Sequence, residues 1–245
     1  MIVNYTPTGW QIIYQQAHAL LAAQLLHQWP AFLPPERWVG LLAAAAQHDD
    51  GQRRWDGRYA LTPAGAPADF TTKEFSLEQA TELMRQARFQ GRWRSLLTSM
   101  HLAFLYTDIQ DQHPGLAPFL AEQQQCRQRW RRELKVAKAE AQQAYALLQW
   151  CDRLSLILCR HELPEMERAL EVSQGPDGRR YDVARRAADQ AVKVTPWPFA
   201  AAEFSVSVEA SRLSQLQFRD DEELSQALRQ APVEVLQWQL RAPAG

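Results

Sequence analysis

The sequence predicts a mainly α fold of the α+β kind: a helical core with a small β-sheet formed by the N-terminal strands and the C-terminal tail. Three observations carry this. Apolar residues recur at helical spacing between about residues 15 and 165. Proline and glycine cut that stretch into helix-sized pieces. Beyond about Glu171 the text turns to short β-rich runs. With 46% hydrophobic and 22% charged residues, a chain of 245 residues has the make-up of an ordinary globular protein, with length for one large domain.

Residues 1–14 read as a β-hairpin, with strands Met1 to Tyr5 and Trp10 to Tyr14 around Thr6-Pro7-Thr8-Gly9. A helix from Gln15 to Trp29 then places His18, Leu21, Ala22, Leu25 and Trp29 on one face. Pro30, Pro34 and Pro35 break it, and Pro35 suits the first turn of the next helix. That helix runs through Trp38 to Gln47 and ends at His48-Asp49-Asp50-Gly51. Residues 51–75 are irregular, a length that marks either a functional lid or a surface loop anchored by Trp55 and Phe70. Ser76, with Gln79 three positions on, caps a helix to about Phe89. A further helix after Gly91 carries Leu97, His101, Phe104 and Leu105. Two more helical stretches, about 118–138 and 139–160, complete a core that spans residues 15–165. Residues 170–245 form the β-rich portion packed on it, with strands at Ala191 to Thr195, Phe204 to Ala210, Leu216 to Arg219 and Val233 to Leu240. A short helix at Asp221 to Arg229 interrupts them.

Charge and composition exclude several partners. A formal net charge of -1 gives no reason to expect a nucleic-acid polymer or an anionic membrane. The apolar run from Val39 to Ala46 is too short for a bilayer, and Met1 to Pro7 lacks the pattern of a signal peptide. Cys126, Cys151 and Cys159 form no CxxC motif, which points to a reducing, cytoplasmic setting. A homo-oligomer is compatible with all of this.

The chemistry lies in polar residues on apolar faces. His18, His48 and His101 each have apolar neighbours three and four positions away, and Asp152 lies between Leu148 and Leu156. Singly, each reads as an ordinary satisfied core residue. A buried carboxylate without a partner nevertheless costs several kcal/mol (roughly). One divalent metal ion offsets the desolvation of all these groups together. Mixed imidazole and carboxylate donors suit iron, manganese, nickel or zinc.

The order His18, then His48-Asp49, then Asp152 resembles the signature of the HD-domain superfamily. With Gly51 it is similar to the HDxG variant of cyclic-dinucleotide phosphodiesterases and mixed-valent di-iron oxygenases. More narrowly, the His-Asp-Asp-Gly, the tryptophan-containing loop, Ser99-Met100-His101 and Cys151-Asp152-Arg153-Leu154-Ser155-Leu156 resemble an uncharacterised bacterial family of unknown function. That resemblance extends over most of the chain.

The resemblance implies an HD-like helical metal-binding core and metal-dependent phosphohydrolysis of a nucleotide or other small phosphoester by metal-activated water. It assigns His18, His48, Asp49 and Asp152 to the metal. His101, Asp50 and Asp56 are candidates for general-base or orienting roles, and Arg53, Arg54 and Lys73 for phosphate contacts. Gln52 stands where HDxG members usually carry lysine, and only His101 is well placed as a further histidine, so one ion is expected rather than two. Two alternatives stay open: an HD-type iron oxygenase, and a non-catalytic metal-containing binding or sensor module.

Overall fold

The computed structural model describes residues 1–50, 60–72, 75–166 and 168–243. The chain opens with β1 (Ile2–Thr6) and β2 (Gly9–Ile13), an antiparallel hairpin. Helices α1 (Gln15–His27), α2 (Pro35–Ala46), α3 (Leu77–Phe89), α4 (Arg92–Tyr106), α5 (Leu116–Leu134) and α6 (Lys138–Cys159) follow. The C-terminal part holds β3 (Leu170–Gln174), β4 (Arg180–Arg185), β5 (Val192–Thr195), β6 (Glu203–Leu213), α7 (Asp221–Gln230) and β7 (Val233–Arg241). No helix among the described residues is long and apolar enough to cross a membrane.

Local chemistry sets several boundaries. Pro35 opens α2, where its missing N–H costs nothing. The Ser76 hydroxyl accepts from Gln79 N–H to start α3, and the Asp220 carboxylate accepts from Glu223 N–H to start α7. At the end of α5, Lys135 takes a left-handed conformation and Val136 N–H returns to Arg131 carbonyl at 2.9 Å. His161 does the same after α6, with Glu162 N–H bonding Ile157 carbonyl at 3.0 Å. Gly40 lets α2 approach α4: a Cβ there would lie 2.7 Å from the Trp93 ring. Trp93 in turn donates its indole N–H to Arg37 carbonyl at 2.9 Å.

The strands form one seven-stranded sheet in the order β1-β2-β6-β7-β5-β4-β3. Neighbours run antiparallel except β5 and β7, which are parallel, so the sheet is mixed. This corrects the expectation of a mainly α fold built on an HD-like helical core with a small sheet. The structure is 48% helix and 20% strand, an α+β fold in which the sheet is a principal layer. Two causes account for the difference. The hairpin of β3 and β4 carries Glu171, Ser173, Arg180 and Asp182 among its apolar residues, and this polar text hides its strand character. In addition, β6 extends over eleven residues and pairs with β2 on one side and β7 on the other. Conversely, residues 216–219 form no strand. The Phe218 N–H bonds Gly65 carbonyl at 2.8 Å, and Leu216 carbonyl accepts from the Trp10 indole, so this segment is tied to a loop and a side chain.

One continuous core joins helices and sheet. Trp150 of α6 is fully buried, with ring centroids 5.2 Å from Trp29, 5.6 Å from Tyr181 and 5.9 Å from Phe199. The Gln24 amide on α1 exchanges hydrogen bonds of 2.9 and 3.0 Å with the backbone of Ser207 on β6.

Asp69 fastens the hairpin beside a single 3-10 turn, Phe70–Thr72. It accepts from Val3 N–H at 3.0 Å and from Thr71 N–H and hydroxyl at 3.0 and 2.7 Å, and it faces Arg160 at 3.3 Å. Burial pushes this carboxyl up, but the hydrogen bonds and Arg160 outweigh it and hold it below its ordinary value. A depressed carboxylate contributes stability that is present above the unfolded value, about pH 4, and lost as pH falls below it. Asp69→Ala is therefore expected to cost about 1–3 kcal/mol at pH 7. It should also flatten the acid limb of stability measured by urea unfolding across pH.

Candidate metal centre

Helices α1, α2, α4 and α6 deliver their inward polar residues to one point. His18 comes from the first turn of α1, and His48 and Asp49 from the turn just past α2. His101 comes from α4 and Asp152 from α6. His18, His48 and His101 are all but fully buried, and Asp152 is 9% exposed.

The distances are short. His18 Nε2 lies 2.7 Å from Asp49 Oδ2, and His48 Nε2 lies 3.1 Å from Asp152 Oδ1 and 3.7 Å from Asp49 Oδ2. The His48 ring stands edge-on to both His18 and His101, at 5.0 and 5.1 Å between centroids. Two overlapping groups, His18 with His48 and Asp49, and His48 with His101 and Asp152, each place their ligand atoms within 4.8 Å of one another.

Surrounding residues fix how the rings present themselves. The Ser155 hydroxyl donates to Asp152 carbonyl at 2.8 Å, so it accepts from the Nδ1–H of His18 at 3.1 Å. His48 Nδ1–H donates to Ala45 carbonyl at 2.7 Å. Both histidines thus direct Nε2 into the cluster, an arrangement that orients metal ligands in general. Gln15 donates its amide to Asp49 Oδ2 at 3.0 Å, and the Tyr145 hydroxyl lies 3.4 Å from His101 Nδ1.

The electrostatics follow from this packing. Burial alone would lower His48, but Asp49 and Asp152 outweigh it and raise the imidazole to about 10. Burial pushes both carboxyls up, yet the His48 charge and the other imidazoles hold Asp49 and Asp152 below their ordinary range. His101 is lowered to about 4 by burial and by the His48 charge, which keeps its ring neutral near pH 7. His48 Nε2 and Asp152 Oδ1 face each other as a buried ion pair at 3.1 Å, with no further hydrogen-bond partner among the described residues. A buried imidazole nitrogen and carboxylate oxygen converging with further imidazole and carboxylate groups make a mixed donor set that fits a divalent ion.

The cluster forms one wall of a cavity of about 330 Å³. Phe70, Phe75, Leu83, Leu105, Tyr106 and Ile109 line the apolar side, and Gln15, Ser76 and Gln79 add polar groups. Asp50 does not line it; its charge instead acts on Arg94, which burial lowers to about 10. Arg94 is buried and donates to Thr98 and, at 3.0 Å, to Gln47 carbonyl at the end of α2. It thereby braces the turn that carries His48. The sequence-derived candidates Arg53, Arg54, Asp56 and Lys73 lie outside the described residues, as does Gln52.

Sequence reasoning passed over Gln15, Arg94, Tyr145 and the hydroxyl role of Ser155. Helical spacing contained the signal for two of them, because Gln15 precedes His18 by three positions and Ser155 follows Asp152 by three. Nothing comparable marked Arg94 or Tyr145.

The profile of a family described as "Protein of unknown function (DUF3891)" matches residues 1–215, which takes in the hairpin, all the site residues and the sheet as far as β6. No curated protein and no solved structure matches the chain. The chain therefore belongs to the DUF3891 family of proteins of unknown function.

Proposed function

We propose that this protein is a metal-dependent phosphohydrolase of the HD type, acting on a small phosphoester. The observation that carries the reading is the meeting of His18 from α1, His48 and Asp49 from the turn past α2, and Asp152 from α6, with their ligand atoms buried and within a few ångströms of one another. These four residues would hold the ion. Iron, manganese, nickel or zinc suits the donor set. When bound, such an ion supplies Lewis acidity and a water acidified to near neutral pH.

One ion is favoured over two by the hydrogen bonding of His48. Both ligand groups share this residue, and its Nδ1 is committed to Ala45 carbonyl. Only Nε2 is left, and a single lone pair serves one ion.

The chain's own residues supply the rest. Gln15 and His18 both engage Asp49 Oδ2, and Ser155 and Ala45 lock the two imidazoles, so the donors are preorganised. His101 stays neutral beside them, as an orienting imidazole or a further donor. The apolar wall of Phe70, Phe75 and Tyr106 excludes water and accepts the organic part of a substrate. A cavity of about 330 Å³ suits a small molecule and not a polymer.

Metal-reconstituted protein is expected to release inorganic phosphate from a nucleoside monophosphate or p-nitrophenyl phosphate, and to stop when a chelator is added. Oxygen consumption by iron-loaded protein without phosphate release would instead identify an oxygenase. Metal content without either activity would identify a binding module.

A further inference from the structure

We propose that a second cavity, walled by α4, α5 and α6, binds a small organic anion of the phosphate-monoester kind, a tetrahedral dianion with an apolar body. This cavity of about 350 Å³ shares no lining residue with the metal pocket. Helix α4 separates the two, with Leu96, Met100 and Ala103 facing one cavity and His101, Leu102 and Leu105 the other.

Its charge is one-sided. Arg127 and Arg131 from α5 and Lys138 from the first turn of α6 line it, and among the described residues no carboxylate does. Arg131 and Lys138 make no ion pair among the described residues. Glu133 and Glu140, each two positions from one of these cations, are held by Arg92 and Arg37 instead. Arg127 is fixed rather than free, since one guanidinium nitrogen donates to both the carbonyl and the hydroxyl of Ser99, at 2.9 and 3.2 Å. Burial holds its pKa below the usual arginine range, the mark of a cation that has lost water without gaining an anion.

The remaining surface defines the ligand. Two guanidinium groups and an ammonium around one cavity match the oxygens of a phosphate or phosphonate, which arginine engages bidentately. Gln124, Gln128 and Gln142 offer neutral amides at the rim. The floor of Leu96, Met100, Ala141 and Tyr145 is apolar and takes an organic body. Free phosphate would satisfy the cations but leave this floor bare.

Calorimetric titration of the full, metal-loaded chain with phenylphosphonate, whose C–P bond resists hydrolysis, tests the site. Binding is expected, and it should persist when a chelator removes metal. In Arg131→Gln/Lys138→Gln, whose side chains reach solvent, affinity should fall about tenfold or more. Inorganic phosphate should bind more weakly than phenylphosphonate. Absence of binding at millimolar ligand, or unchanged affinity in the double variant, overturns the proposal. Binding abolished by chelator but intact in the double variant assigns the anion to the metal centre and equally overturns it. Equal affinity for inorganic phosphate refutes the organic body. None of these results bears on whether the metal centre hydrolyses phosphoesters.

Discussion

Asp49→Ala is expected to leave the purified chain without its divalent ion and without phosphohydrolase activity. Asp49 Oδ2 is approached by His18 Nε2, His48 Nε2 and the Gln15 amide, so it is the carboxylate most shared within the cluster. Residues that merely orient ligands cost about 10–100-fold in metal affinity when lost, and a ligand itself should cost more. The variant also strips a negative charge from beside the raised imidazole of His48. Elemental analysis gives the readout, with circular dichroism to show that the helices remain. Metal content equal to that of the parent protein would place the ion away from Asp49.

The second large effect concerns stability. Trp150→Ala should lower the unfolding free energy by about 3–5 kcal/mol, the range for emptying a buried aromatic site. Against a typical total of about 5–15 kcal/mol, that threatens folding at physiological temperature. The reason is position: Trp150 packs edge-on against aromatic rings from the turn after α1, from β4 and from the segment before β6, tying helix layer to sheet. Its indole N–H has no hydrogen-bond partner, so Trp150→Phe loses area but no hydrogen bond and should cost less. Thermal unfolding should place the alanine variant about 10 °C or more below the parent. A shift of only a degree or two would mean that helices and sheet are held together elsewhere.

The two effects meet in α6, where Trp150 and Asp152 are two residues apart. One side of this helix anchors the sheet and another supplies a carboxylate to the cluster. That arrangement explains how much the sequence disclosed. His18, His48, His101 and Asp152 stood out because a polar group on an apolar helical face is costly unless something nearby compensates it. Gln15 and Ser155 lie on the same faces but are common helix and cap residues, and only coordinates show their hydrogen bonds. Arg94 carried no signal in the sequence, although its guanidinium is buried against the end of α2.

The sheet was harder to read than the helices for a related reason. Helical periodicity is local, whereas β3 and β4 depend on partners distant in sequence and carry charged residues on their open faces. β7 was legible as a strand over Val233 to Leu240, but its central place in the sheet, antiparallel to β6 and parallel to β5, was not. Residues 216–219 show the converse. Their alternating text suggested a strand, but without a neighbouring strand their backbone bonds Gly65 and the side chains of Trp10, Gln215 and Glu223. The strand count, and with it the fold class, therefore followed from pairing that no local pattern encodes.

The central claim is that one divalent ion sits among His18, His48, Asp49 and Asp152. Anomalous X-ray scattering from a crystal of the metal-loaded protein tests it most directly. The account predicts a single peak per chain, at about 2.0–2.2 Å from the Nε2 atoms of His18 and His48 and from a carboxylate oxygen. Two peaks at the cluster, a peak elsewhere, or none with bound metal demonstrated in solution would contradict it.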